Sequence, residues 1–206
     1  MSTTDGRLLT TTSYAILGLL AARPWSTYAL AKQMRRSLQH IWPRAESNIY
    51  AEPKRLVEAG LATAEVETVG KRARTVYSIT DEGLRALVRW LSTESAPSRF
   101  ESETLVKVLF GNYGTKDVLL ANLRRFADEA AATRAFWKLV ADDYIHGRHA
   151  FPERMHVNAL VFRWNSEQAK TNESWAEWAI AQVESWADTA TQADLEASFE
   201  TFRAAL

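Results

Sequence analysis

Lys71, Arg72 and Arg74 follow Gly70 within one short stretch of this chain. Clustered ammonium and guanidinium groups at a protruding turn suit the neutralisation of phosphate oxygens. A lone cation at such a place is more often simply solvated. A second group lies upstream, comprising Arg44, Ser47, Asn48, Tyr50, Lys54 and Arg55. Cations hold phosphates, while short polar side chains read base edges; Asn can bond adenine twice. Ser47 and Asn48 also have a plain alternative as helix caps, and Tyr50 as a residue packed inward. The chemistry on offer is grip on a charged polymer, not bond-breaking.

The surrounding residues predict the elements that hold these groups. Thr12 or Ser13 is expected to cap a first helix, with Ile16, Leu17, Leu19 and Leu20 buried and Pro24 beyond its end. Ser26 or Thr27 caps a second, in which Ala31, Met34 and Leu38 recur at helical spacing; Trp42-Pro43 breaks it. A third runs from Glu46 or Ser47 to Gly60, which sits where a left-handed cap is wanted. Pro53 interrupts that helix, so either its first turns bend or its regular part starts later. From Leu61 to Thr80 the period falls to two, with Ala62, Ala64 and Val66 alternating against Thr63, Glu65 and Glu67. The strand returns after Gly70-Lys71-Arg72. Thr80 caps a helix whose expected buried stripe is Leu84, Leu87, Val88 and Leu91. Helix, turn, helix and a basic hairpin in this order fit a winged helix-turn-helix.

Thr93 to Pro97 is polar and ends in proline, marking the expected boundary. A winged helix-turn-helix domain is assigned to 8–95 and a helical domain to 96–206. The fold class is mainly α with a small β-hairpin wing. In the second domain a short helix carries Leu105, Val108 and Leu109. A long one, roughly Lys116 to Ile145, carries Val118, Leu119, Leu123, Phe126, Phe136, Leu139 and Val140. Beyond the break at Gly147 to Pro152, Met155, Leu160, Val161 and Trp164 form another stripe. Asn165 to Asn172 reads as a turn or a continuation. Trp175, Trp178, Ala179, Val183 and Trp186 follow, then Leu195, Phe199, Phe202 and Leu206.

Composition narrows the function. The 206 residues, 47% hydrophobic, suit one large or two small globular domains. With no cysteine, disulfides, thiolate metal sites and a thiol nucleophile are excluded. The longest apolar stretch, Tyr14 to Ala22, is too short to span a membrane. The Ser/Thr-rich start lacks the basic onset of a secretory signal, and a cytoplasmic location is expected. Net charge is zero, but residues 1–95 hold 13 Lys and Arg against 9 Asp and Glu, and residues 96–206 hold 12 against 16. A basic half joined to an acidic one fits a DNA-binding head on a body that stays off the duplex. Asp143, His146 and His149 make no convincing metal site because Gly147 interrupts their helix. No phosphate-binding glycine loop, nucleophile elbow or zinc-protease motif is present, and Glu101 and Glu103 diverge on a helix. No enzyme and no cofactor is expected.

Tyr14-Ala-Ile-Leu-Gly-Leu-Leu, Ser47-Asn-Ile-Tyr50, Lys54-Arg-Leu56, Gly60-Leu61 and Tyr77-Ser-Ile-Thr-Asp-Glu-Gly83 together resemble the PadR family of bacterial transcriptional regulators. The resemblance is strong over about 8–92 and weaker over 97–190. It implies a winged helix that binds double-stranded DNA and a helical part through which two chains pair. Tyr50 is a hallmark position of that family; where Pro53 stands, the family more often has Leu. The resemblance further implies a repressor on a palindromic operator that responds to a small, often aromatic, effector. Such a molecule would sit between the two domains or at the dimer seam, and by position Trp90 and Trp137 are the candidate ring contacts. Eight tryptophans otherwise read as core and dimer contacts. The alternative is a winged-helix protein-interaction module with no operator of its own.

Overall fold

A computed structural model describes residues 9–43, 46–69, 72–190 and 195–204. The chain forms two compact units, divided between Pro97 and Ser98. In the first, the order is α1 (Thr11–Leu20), β1 (Trp25–Ser26), α2 (Thr27–Leu38), α3 (Glu46–Glu58), β2 (Ala62–Val69), β3 (Arg72–Ile79) and α4 (Asp81–Leu91). This is a winged helix-turn-helix, with a three-stranded antiparallel sheet in the order β1-β3-β2.

Its core forms where the apolar faces of the helices meet. Ile16 and Leu17 of α1, Leu30 and Met34 of α2, and Leu56 of α3 are buried together with Leu61, Val76 and Tyr77. The two-residue strand β1 was not expected from its length. It exists because Trp25 and Ser26 lie opposite Tyr77 and Val76 on β3, while the Trp25 indole donates to the Leu19 carbonyl at 2.9 Å.

A short side chain fixes the start of α1, α2 and α4. The cap of α1 is Thr10, earlier than the expected Thr12 or Ser13. Its hydroxyl accepts from the Ser13 N–H at 3.2 Å and its own N–H donates to Ser13 Oγ at 2.9 Å. Ser13 is therefore the return partner of a capping box. Ser26 and Thr80 cap α2 and α4 as expected. Gly60 has a φ of +72° at the exit of α3, a backbone state that favours glycine. Pro53 lies inside α3, which runs from Glu46 without a later start. Its ring is fully buried, so apolar contact offsets the missing N–H.

Two stripes differ from expectation. On α4 the buried side is Gly83, Ala86 and Leu87, whereas Leu84, Val88 and Leu91 face solvent. The sequence offered more apolar residues than one helix face holds. In β2, residues 63–68 are all exposed, so Ala64 and Val66 of the period-two pattern are not buried and the ribbon extends beyond the core.

The second unit contains α5 (Glu103–Leu109), α6 (Lys116–Ile145), α7 (Met155–Ser185) and α8 (Leu195–Arg203). The stretch 165–172 is a continuation of α7. Helices α6 and α7 form an antiparallel hairpin: Leu119, Leu120 and Leu123 at the start of α6 pack on Ala179 and Val183 at the end of α7. Trp137 and Val140 pack on Ala169 at the other end. The buried line of α7 is Asn165, Ala169, Ala176, Ala179 and Val183, small residues that permit close helix approach. Val118 and Leu139, expected inward, face outward instead. No described helix is long and apolar enough to cross a membrane.

Candidate nucleic-acid interface

Helix α3 has two unlike sides. Ile49, Glu52, Pro53 and Leu56 point inward, at the spacings of three and four that one helix face requires. Asn48, Ala51, Lys54 and Glu58 are exposed, and Arg55 is half-buried. With 3.6 residues per turn, Asn48 and Arg55 share one flank of the outward side, and Tyr50 lies on the other. Tyr50 keeps 38% of its surface exposed. The structure thus brings Asn48, Tyr50, Lys54 and Arg55 to one accessible helix while separating them across its width. Ser47 lies in the first turn of α3, but its side chain is outside the described residues. Arg44 lies outside them altogether.

What holds α3 in place is polar as well as apolar. The Ser13 hydroxyl on α1 donates to Glu52 Oε1, and Arg55 Nη1 donates to Glu52 Oε2 at 2.8 Å. The Trp42 indole donates to Thr12 Oγ1 at 3.1 Å, tying the α2–α3 connection to the start of α1.

On the hairpin, Arg74 is exposed and stands opposite Glu67. Its Nε and Nη2 donate to Glu67 Oε2 at 3.1 and 2.7 Å. Lys71 lies outside the described residues, as does the side chain of Arg72, whose backbone opens β3. Arg74 thus has an acidic neighbour that its sequence spacing did not reveal. On α4, Arg89 and Arg85 both bond Glu82 and hold its carboxyl below its ordinary value.

One exposed line with two cations escaped the sequence reading. Tyr28, Lys32 and Arg36 recur every four residues on the exposed side of α2. Tyr28 is 66% exposed. The first helix of a helix-turn-helix crosses the sugar–phosphate backbone, and this line lies on the exposed side of that helix. The recurrence of four was the available signal.

Comparison with known proteins supplies the context. A family model described as the transcriptional regulator PadR-like family matches residues 16–89, and a second, the C-terminal part of virulence activator alpha, matches residues 102–184. The first unit of the chain is thus similar to the PadR-like family. A curated relative, the negative transcriptional regulator PadR of Bacillus subtilis, is 32% identical over 99 residues, covering 47% of this chain and 54% of that one. The chain spans about half the length of the curated relatives it matches, 54% and 46%. The crystal structure of Bacillus subtilis PadR in complex with operator DNA has a TM-score of 0.72 at 24% identity, covering 84% of this chain and 99% of that chain. That of the same regulator with p-coumaric acid has a TM-score of 0.66 at 22% identity, covering 87% and 100%. These likenesses establish the PadR fold for the chain.

The two tryptophans singled out for a ligand lie in different units. Trp90 stacks on Tyr14, with ring centroids 4.8 Å apart and planes 4° from parallel, and is half-buried. Trp137 is only 6% exposed, with Phe136 and Phe162 edge-on against it at 5.1 and 6.0 Å. Trp90 therefore offers accessible ring surface, whereas Trp137 serves the packing of α6 on α7. Around His146, the Asp142 carboxylate lies 3.0 Å from its ring, and Arg148 bonds both Asp142 and Asp143. Those carboxylates act as partners of an arginine.

Proposed function

We propose that this protein is a DNA-binding transcriptional regulator, a ligand-responsive homodimeric repressor acting on a palindromic operator. The observation that carries the reading is the outward side of α3. It presents Asn48, Tyr50, Lys54 and Arg55 beside a hairpin bearing Arg74, on the fold of a regulator whose structure was solved with operator DNA. In this reading α3 enters the major groove, the wing and the α2 line hold phosphates, and two chains place two such helices about one turn of DNA apart. Arg44, Ser47, Lys71 and Arg72 belong to the same proposed set.

Pairing is supported by exposed apolar residues of the second unit. Leu160 and Trp164, one turn apart on α7, are 72% and 59% exposed. Exposed apolar residues close together on one helix favour an interface with another chain. The Bacillus subtilis relative was solved with p-coumaric acid, which supports a flat aromatic effector here, with Trp90 as its ring contact and Trp137 as a support.

The test is a selection of bound fragments from random duplex DNA with the purified chain, repeated across salt, with light scattering on the same sample. A palindrome and a dimer are expected. A monomer at micromolar concentration would sink the pairing. One observation favours the alternative of a protein-interaction module: Glu65 and Glu67 are exposed on the wing, and Glu67 holds Arg74. That module would enrich no DNA sequence.

A further inference from the structure

We propose that Glu52 is a positioning residue: it fixes the Arg55 guanidinium so that the donors left over meet a guanine edge in the major groove. The inference rests on the DNA-binding reading above and assigns a specificity device within it.

Glu52 is out of place by type. It is 5% exposed and shares the inward side of α3 with Ile49, Pro53 and Leu56. A carboxylate enters such a seam only when it is paired and hydrogen-bonded. Its two oxygens are used in different directions. Oε1 accepts from Ser13 of α1, and Oε2 accepts from Arg55 one turn along α3. Ser13 is itself immobilised by the Thr10 capping box. A continuous polar chain therefore runs from the start of α1, through the core, to a half-exposed guanidinium on the outward flank of α3.

Stability alone does not account for that chain. An apolar side chain of similar volume would pack in the same seam without desolvating a charge, and such replacements are often neutral or stabilising. What the carboxylate adds is direction. A surface arginine must give up many rotamers when it makes a contact. Arg55 has already given them up at Nη1. Its Nε and Nη2 form the remaining edge, and guanine O6 and N7 form the matching pair of acceptors. Asn48 shares the same flank, so the two side chains would read neighbouring positions.

The experiment selects bound sequences from a random duplex library with the full chain, comparing wild type, Glu52→Gln and Arg55→Ala. Melting curves and salt dependence are measured in parallel. Wild type is expected to enrich guanine at one position of each half-site. Arg55→Ala should lose that preference, and Glu52→Gln should lower it about tenfold with the rest of the site and the salt slope unchanged. A structural role would weaken all sequences alike; that outcome, or unchanged preference in Glu52→Gln, overturns the assignment. Ser13→Ala, which withdraws only the hydroxyl, should act in the same direction with smaller size. If Glu52→Gln fails to fold, unchanged guanine preference in Ser13→Ala overturns the assignment instead. A wild-type chain that enriches no sequence overturns the DNA-binding reading itself, whereas enrichment without effect of these variants removes only the role of Glu52.

Discussion

Glu67 and Arg74 face each other across the wing, and two nitrogens of the arginine converge on one oxygen of the glutamate, at 3.1 and 2.7 Å. Both side chains are about half-exposed, so the pair adds little to stability, on the order of 0.2–1 kcal/mol. Its consequence lies in binding. A phosphate must displace Glu67, or accept from what Arg74 has left. Glu67→Gln should therefore raise affinity for duplex DNA of any sequence by a fewfold and steepen the salt dependence. Filter binding or anisotropy across salt measures both. Lower affinity in the variant would show that Glu67 orients Arg74 instead of restraining it. The converse change, alanine at Lys71, Arg72 and Arg74 together, should weaken every sequence alike and flatten the slope.

The α2 line makes a separate claim. Lys32 lies between Tyr28 and Arg36 on the exposed side of that helix. If α2 crosses the backbone, Lys32→Ala should make the slope of log affinity against log salt shallower by about one, with sequence preference unchanged. Lys32 and Lys54 would then be distinguishable from Arg55, whose loss changes preference. An unchanged slope would place α2 away from the duplex.

Much of the first unit was legible from local signals. Period-two residues after Leu61, the caps Ser26 and Thr80, and Gly60 at the end of α3 act within a few residues of themselves, so the chain shows them directly. The winged fold and the PadR resemblance followed from their order. What stayed hidden depends on residues far apart in sequence. Trp25 forms a strand only because Tyr77 is there to pair with it. Glu52 reads as a surface glutamate until Ser13 comes to within bonding distance. Arg74 reads as a bare cation until the hairpin register places Glu67 opposite. The long helices misled for another reason. With apolar residues on more than one side, α6 did not reveal which side meets α7, and Val118 and Leu139 were assigned to the wrong one.

Those outward residues carry their own prediction. Leu160 touches little within its own chain, being 72% exposed. Leu160→Asp should leave the helical content and the α6–α7 hairpin intact, since surface substitutions away from packed features change stability by only about 0.5 kcal/mol. If α7 lies in a dimer seam, the same change buries a charge without a partner and should shift light scattering toward the monomer. Wild-type mass in the variant would move the seam to another face.

The junction of α3, β2 and α4 is the place where a single methyl group should do most harm. A Cβ on Gly83 would stand 2.1 Å from the Leu61 carbonyl oxygen and 2.9 Å from Ile79 Cγ1. That carbonyl cannot simply turn away, because it accepts from the Thr80 N–H at 3.1 Å. The Thr80 hydroxyl in turn donates to the Gly60 carbonyl at 2.8 Å, so the start of α4 and the end of α3 are locked together. Gly83→Ala must push α4 outward or break this lock, at a cost of about 1–3 kcal/mol. Gly18, inside α1, has nothing within 4 Å of the corresponding point. There Gly→Ala should stabilise by about 0.5–1 kcal/mol through helix propensity alone. Because two units need not unfold together, amide exchange in β2, β3 and α4 is the readout to use. Faster exchange in those elements for Gly83→Ala, and slower exchange in α1 for Gly18→Ala, are the expected results. Equal protection in Gly83→Ala and wild type would mean that α4 is not anchored by its close approach to Leu61.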